Sequence, residues 1–514
     1  MKKKFFIVFS ISLFTFILQA QNKLPFNSYE LAKLKKLKAK VEANPASIEA
    51  HKAFISAFRI NNRMDDPALE AQYKTWIKQF PKIYAVPYAI GEAYENQENP
   101  KATPFLLQAS ILKPDKAEIW SMLAINALLK NNITDRQQYL KKAMQFDPAN
   151  ADYAFDYAYS FKGTDPARYD SLSLEVARKF PNSGRGSLAL SLLAKYSTIP
   201  AEKIAYYKQI YNRKSDQLSD DYLQGMLNYF DFLLKTNPDQ AFELGLTMII
   251  EGKINRNLWK DRIKVADAFL KVRKLLVENN PKEALALLNS VDLINPIFGS
   301  YTIDAEEYLA LFKAEVADAA AQTQLAYNSL VVLYSKEPTE GLRAPLFKYG
   351  NKLGMDSNSV VKNIWKIRDS TAKQATNFSL ENYLSAGKTA LSDYKGKIIL
   401  LTYWFPGCGP CRGEFPHFES VLKSFNKNEV AYLGLNLEPS QDEAVLPFLK
   451  QTGFGFTPLH DDRGRQKGNL TADGAPTNYL IDQKGRIVFS GFRIDAENER
   501  TLELMIKELL AVKD

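Results

Sequence analysis

Prolines recur at nearly constant spacing through the first part of this 514-residue chain. Five of them follow amphipathic segments at intervals of 36, 33, 34 and 33 residues: Pro45, Pro81, Pro114, Pro148 and Pro181. Proline and the residue before it both resist helical geometry, so each proline is expected to end a helix. The spacing leaves room for two helices per interval, and it predicts a stack of helix pairs rather than a sheet.

A 34-residue unit closed by proline resembles the tetratricopeptide repeat. Trp120, Leu123 and Ala124 fall where that repeat places its large, leucine and small residues. The resemblance implies an all-α, tetratricopeptide-like solenoid over residues 21–370, with a face able to hold a protein or peptide partner. Beyond Pro181 the period decays, although helical spacing of apolar residues continues. The alternative is a non-repetitive helical bundle with accidental proline spacing.

The N-terminus has the pattern of an export signal. Three lysines precede an apolar run from Phe5 to Leu18, and Ala20 is a small residue at a plausible cleavage point. Fourteen helical residues span about 21 Å, which is less than the roughly 30 Å of a bilayer core. We therefore predict a signal peptide over residues 1–20 and an exported protein. An uncleaved signal would instead tether the chain to the membrane.

The net charge of +9 says little about partners. The predicted signal contributes three of the positive charges, and a lysine cluster between residues 33 and 40 has the spacing of one solvated helix face. No nucleic-acid partner is expected from this distribution.

Cysteine usage narrows the chemistry. The chain has only two cysteines, Cys408 and Cys411, and they form a single C-x-x-C pattern. A zinc site needs four ligands. The chain has no second cysteine pair to complete one, and its only histidines are His51, His417 and His460. The pattern favours a redox-active disulfide without a metal or cofactor. A static structural bridge is the alternative.

The character of the sequence changes at Ala372. A continuous apolar run at residues 398–404 predicts a buried central strand. Further strands are predicted at 430–437, 477–481 and 486–492, and helices at 411–425, 442–452 and 497–512. An α/β domain is therefore predicted over residues 372–514.

This domain resembles the TlpA/ResA-like exported thioredoxins of the wider redoxin and AhpC/TSA group. The matching segments run through the domain in the family's order: 377–380, 391–397, the strand into Trp404, Cys408 to Cys411, 414–416, 474–477 and 480–482. The resemblance implies a thioredoxin fold with a mixed central sheet and thiol–disulfide oxidoreductase activity.

The resemblance also implies roles for three residues of the motif region. Cys408, at the N-terminus of a helix, is expected to ionise readily and to act as the nucleophile. Cys411 is expected to be more buried and to resolve the mixed disulfide. Glu414 is a candidate for acid–base tuning, because the strand position where cytosolic thioredoxins carry an aspartate holds Thr402 here. An ordinary exposed helix glutamate is the alternative.

A client-binding surface is implied beside the cysteines. Pro476 corresponds to the family's cis-proline, and the backbone at Ala475 is expected to pair with an extended client. Trp404, Pro406 and Gly407 precede Cys408 and are predicted to contribute to the same surface. Pro406-Gly407 departs from the family, which usually carries a bulky aromatic residue there, so client choice does not transfer from relatives.

The leading hypothesis is an envelope protein disulfide reductase whose helical region recruits partners. It requires disulfide-bearing clients and a membrane or envelope thiol electron donor, and the periplasm of a Gram-negative bacterium is the expected compartment. Gly409-Pro410, typical of reducing thioredoxins, favours reduction. The alternatives are a disulfide oxidant or isomerase on the same fold, and a helical-repeat scaffold with a redox-silent thioredoxin domain.

Overall fold

A computed structural model describes residues 26–60, 63–213, 219–251, 256–293, 295–297, 305–462 and 468–512. The predicted signal peptide lies outside these residues. The chain forms two compact units, divided between Asn126 and Ala127. None of the helices within the described ranges has both the length and the apolar composition needed to cross a bilayer.

The first unit is helical. Its helices are α1 (Ser28–Ala43), α2 (Ile48–Ile60), α3 (Pro67–Gln79), α4 (Ala85–Glu95), α5 (Ala102–Leu112) and the larger part of α6 (Ala117–Leu129). Three of the five periodic prolines lie here, and each directly follows the C-cap residue of a helix: Asn44 after α1, Phe80 after α3 and Lys113 after α5. The spacing therefore marks real helix ends.

The second unit begins with the rest of the helical array. Its helices are α7 (Ile133–Phe146), α8 (Ala151–Tyr159), α9 (Pro166–Lys179), α10 (Gly184–Tyr196), α11 (Pro200–Tyr211), α12 (Asp220–Thr236), α13 (Pro238–Glu251), α14 (Arg256–Val277), α15 (Pro281–Ser290), α16 (Ala305–Ala319), α17 (Thr323–Lys336), α18 (Glu340–Lys352) and α19 (Ser357–Thr371). Pro148 and Pro181 again follow C-cap residues, Asp147 and Phe180. The all-α character of this region is confirmed, whereas its tetratricopeptide character stays a prediction.

Strands begin where α19 ends. They are β1 (Lys373–Gln374), β2 (Ser379–Glu381), β3 (Lys388–Ala390), β4 (Ile398–Trp404), β5 (Val430–Asn436), β6 (Thr457–His460), β7 (Thr477–Ile481) and β8 (Arg486–Ser490). Six of them form one sheet in the order β1-β8-β7-β4-β5-β6, and β2 pairs with β3 separately. Because β4, β5 and β6 are parallel and the other neighbours antiparallel, the predicted mixed sheet is confirmed.

The sheet is packed on both faces, as expected for its buried central strand. Every residue of β4 is buried. One face packs against α20 (Gly409–Leu422), α21 (Asp442–Thr452) and α22 (Glu499–Ala511), and the other forms a smaller apolar cluster around Leu401, Leu433 and Tyr479. Since β4 and β5 run parallel, their carboxyl ends lie at the same edge of the sheet, and the segment with Cys408 leaves β4 at that edge.

The helical array and the sheet domain are joined by polar contacts within the second unit. Nη2 of the buried Arg368 of α19 lies 2.7 Å from Oε2 of Glu508 on α22, and the Tyr334 hydroxyl donates a hydrogen bond to the other oxygen of that carboxylate at 2.6 Å. A more exposed pair, Arg500 and Glu340, lies 3.0 Å apart. The thioredoxin-like part is therefore fixed directly to helices of the array.

Candidate active site

Cys408 occupies the N-cap position of α20. Its backbone is extended (φ −67°, ψ 100°), and its Sγ accepts a hydrogen bond from the backbone N–H of Cys411 at 3.2 Å. The two cysteines form a disulfide with their Cα atoms 5.3 Å apart. An N-cap sulfur receives N–H groups that have no partner within the helix, together with the positive end of the helix dipole. This position stabilises a thiolate on Cys408 in the reduced state.

The disulfide lies largely inside the domain. Cys408 is 3% exposed and Cys411 is fully buried, while Gly409 and Pro410 form the exposed outer side of the motif. Pro410 stands in the first turn of α20, where its missing N–H leaves no hydrogen bond unmade. The helix starts two residues earlier than predicted, because Cys408 caps it.

Glu414 is buried on α20, three residues after Cys411, and is only 5% exposed. Its carboxylate accepts hydrogen bonds from Asn478 Nδ2 at 2.9 Å and from the backbone N–H of Ile494 at 3.2 Å. Burial raises the pKa of Glu414, and the hydrogen bond from Asn478 and the charge of Arg493 at 3.8 Å oppose that rise. The structure therefore excludes the exposed-glutamate alternative.

Asn478 was not predicted as a site residue. It lies on β7 directly opposite Thr402 of β4, and its side chain also donates to the carbonyl of Phe492 at 3.0 Å. A fully buried amide that binds the Glu414 carboxylate is a part of the site's polar core. The available signal in the sequence was an amide residue near the start of a strand that ends in Tyr-Leu-Ile, three positions after Ala475.

The loop before β7 has the geometry that the family resemblance implies. The peptide bond between Ala475 and Pro476 is cis. Pro476 is buried and Ala475 half-buried, directly before β7 begins at Thr477. Their client-binding role stays a prediction.

The structure contradicts the prediction that Trp404 contacts clients. Trp404 is fully buried, and its ring packs edge-on against Phe415 and Phe456 at centroid distances of 5.3 and 5.0 Å. Neighbouring β5 carries Gly434, where a Cβ atom would lie 2.9 Å from the Trp404 Nε1 and 2.6 Å from the Phe456 ring. As the last residue of a buried strand, Trp404 belongs to the core of the domain.

Pro406 and Gly407 do lie beside Cys408, and both are held by side chains from elsewhere. The Gly407 N–H donates to Gln441 Oε1 at 2.7 Å, and the Pro406 carbonyl accepts from Arg412 Nη1 at 3.3 Å. Pro406 is buried and Gly407 half-buried. Neither Gln441 nor Arg412 was predicted, because no local pattern links them to the loop.

Comparison with known proteins places this domain in a family. Residues 371–490 match the AhpC/TSA family. The thioredoxin-like protein YneN of Bacillus subtilis (strain 168) is 32% identical over 136 residues, which cover 26% of this chain and 78% of that protein. The chain belongs to the thioredoxin-like proteins of the AhpC/TSA family. The matched family region contains Cys408, Cys411, Glu414 and Pro476.

Other relatives of this thioredoxin-like protein are similar over the same domain. The thiol-disulfide oxidoreductase ResA of Bacillus subtilis (strain 168) is 32% identical over 119 residues, which cover 23% of this chain and 65% of ResA. A thiol:disulfide interchange protein of Chlorobium tepidum, whose structure is solved, is 18% identical. The match covers 27% of this chain and 97% of that protein's chain, with a TM-score of 0.25. The sequence relatives support a thiol–disulfide oxidoreductase function for the C-terminal domain.

Proposed function

We propose that this protein is an exported reductase that transfers electrons from Cys408 and Cys411 to disulfides of client proteins in the cell envelope. The observation that carries exchange through Cys408 is its position, since its Sγ caps α20 and accepts the N–H of Cys411 at 3.2 Å. The direction of reduction is proposed from Gly409-Pro410, the dipeptide typical of reducing thioredoxins. Once the disulfide is reduced, a sulfur at such a position is stabilised as the thiolate, which is the species that attacks disulfides.

The exchange proceeds in two displacements. The Cys408 thiolate attacks one sulfur of a client disulfide, forms a mixed disulfide and expels the first client thiolate. Cys411 then attacks the Cys408 sulfur, which forms the Cys408–Cys411 disulfide and expels the second client thiolate. Two electrons pass to the client, so an envelope dithiol must return two electrons and two protons to the protein.

Glu414 supports the second displacement. Cys411 must lose its proton before it attacks, and Glu414 lies three residues further along the same helix, on the same face. Because burial raises the pKa of Glu414, its carboxylate accepts a proton more readily than an exposed glutamate does. Glu414 therefore acts as the proton acceptor for Cys411.

Clients are bound beside the cysteines and recruited by the array. Gly407 and the backbone at Ala475 flank the motif, and an extended client segment pairs with that backbone. The helical array supplies a further surface for clients or for the electron donor. The signal-like N-terminus directs the chain to the periplasm of a Gram-negative bacterium.

A trapping experiment tests the proposal. The Cys411→Ser variant of the mature chain cannot resolve mixed disulfides, so envelope proteins should remain bound to Cys408 and be released by dithiothreitol. The matched Cys408→Ser variant should trap none. Recovery of the same proteins with both variants, or of none with Cys411→Ser, would contradict disulfide exchange through Cys408.

An equilibrium redox titration of the unmodified chain tests the direction of electron flow. A potential near that of thioredoxin, about −270 mV, is expected for a reductase. A potential near about −120 mV is that of an oxidant, and it would replace the reductase proposal while leaving both cysteines in their roles.

A further inference from the structure

The loop between β4 and Cys408, residues 405–407, is held at each of its residues. The Phe405 carbonyl accepts the N–H of Cys408 at 2.9 Å, the Pro406 carbonyl accepts from Arg412, and the Gly407 N–H donates to the buried Gln441 side chain. A loop with both its carbonyl and amide groups bound presents one conformation to an approaching client.

Arg412 connects this loop to the helical array. Besides Pro406, its guanidinium donates to the Leu128 carbonyl at 3.0 Å and to the side-chain oxygen of Asn131. Leu128 lies in the last turn of α6 and Asn131 in the connection to α7, and both belong to the same compact unit as the cysteines. Asn131 has a left-handed backbone (φ 53°), and its own N–H donates to Leu128 at 2.8 Å. The connection between α6 and α7 therefore has a defined backbone conformation.

Arg412 acts on the loop through the hydrogen bonds of its guanidinium and not through an ion pair. Among the described residues, no carboxylate lies within ion-pair distance of it. Burial, together with the nearby positive charge of Arg136, lowers the pKa of Arg412 to about 10. Taking part of a guanidinium out of water without a neighbouring carboxylate costs free energy. What Arg412 gains is a planar fork that reaches three acceptors at once, two from the array and one from the loop.

We propose that Arg412 is a positioning residue for client binding: it holds the loop at Pro406 against residues 128–131, so that this part of the helical array forms one wall of the client site. The inference rests on the proposed function, because it assigns the array a direct part in the same exchange reaction.

Two substitutions separate the contact from its charge. Arg412→Lys keeps the positive charge and loses the fork. Asn131→Gly keeps the left-handed backbone, which glycine adopts without strain, and removes one acceptor. Asn279→Gly is the matched control. Asn279 has the same backbone conformation (φ 61°) after α14, and its N–H donates to Leu276 as that of Asn131 does to Leu128.

The readout is the rate constant for oxidation of the reduced full-length chain by two disulfides of different size. Insulin must lie against the loop, whereas 4,4'-dithiodipyridine reports only the reactivity of Cys408. We expect Arg412→Lys and Asn131→Gly each to lower the insulin rate constant about tenfold, the effect of one hydrogen bond to a charged group. The dithiodipyridine rate constant should stay within about twofold, and Asn279→Gly should change neither.

Three results would overturn the inference. They are an insulin rate constant unchanged in both variants, an equal fall with both disulfides, and an equal fall in the Asn279→Gly control. If the unmodified chain leaves insulin oxidised, the proposed function fails and the inference fails with it. Should Arg412→Lys not fold, which circular dichroism reports, Asn131→Gly decides alone.

Discussion

Two buried carboxylates in the second unit are stabilised in different ways. Asp231 of α12 lies 3.4 Å from Arg262 Nε of α14, and both side chains are nearly inaccessible. Glu414 is bound instead by an amide and a backbone N–H, and its cation, Arg493, is 3.8 Å away and more than half exposed. The first carboxylate faces a cation that is buried with it, an arrangement that suits a role in architecture. The second can change its protonation state, which suits chemistry.

The largest effect is expected from breaking the paired charge. Asp231→Ala leaves Arg262 buried without its carboxylate, and we expect the free energy of unfolding to fall by about 3–5 kcal/mol. Urea unfolding followed by circular dichroism measures it. An apolar double variant, Asp231→Leu with Arg262→Met, should recover most of the loss. If Asp231→Ala lowered the free energy of unfolding by less than about 1 kcal/mol, Asp231 would have no structural role to set against the role of Glu414.

A smaller effect, dependent on pH, is expected at the second carboxylate. Below pH 4.5, the ordinary pKa of glutamate, Glu414 is protonated in both the folded and the unfolded chain. The stability of Glu414→Gln should therefore change with pH as that of the unmodified chain does. As the pH rises through 4.5, the unfolded chain loses its proton first, because the folded pKa is raised. The unmodified chain should therefore lose stability relative to Glu414→Gln until the pH passes the folded pKa.

The measurement is the difference in unfolding midpoint between the two chains at a series of pH values from 4 to 8. The trend matters and not the absolute offset, because glutamine cannot accept both hydrogen bonds that Glu414 accepts. Parallel midpoints across this range would show that Glu414 titrates like an exposed residue, and its role as proton acceptor would lose its support.

The smallest effect is expected at an exposed pair. Arg500 and Glu340 also join the array to the sheet domain, and each side chain is 48% exposed. Glu340→Gln should lower the free energy of unfolding by about 0.2–1 kcal/mol, and high salt should reduce that difference. If Glu340→Gln lowered the free energy of unfolding as much as Asp231→Ala does, burial would not explain why one ion pair stabilises the fold more than the other.

Predictions from sequence succeeded where one local pattern determines the structure. The apolar run at Ile398–Trp404 is β4 to the residue, and Asp442–Thr452 is α21 to the residue. The short edge strand Thr457–His460 was missed, because its four residues include Pro458 and carry no alternation of apolar and polar residues. Trp404 was placed on the client surface because a strand end alone does not show which face a side chain packs against.

The contacts made by Arg412 could not be predicted in the same way. Arg412 and Asn131 are separated by 281 positions, and they meet only because the helices after Ala127 pack in one unit with the sheet domain. Cys408, Cys411 and the cis bond at Pro476 were accessible because a family resemblance covers them. The array's contribution to the site has no counterpart in that resemblance.

The burial of Trp404 gives the protein an optical reporter of its own redox state. Its indole shares one apolar cluster with Cys408 and Cys411, shielded from water and from bound clients. A disulfide quenches a neighbouring indole more strongly than two thiols do, so emission should rise when the chain is reduced. Because the chain has only five tryptophans, Trp404→Phe assigns the signal, and exchange can be followed without any added dye.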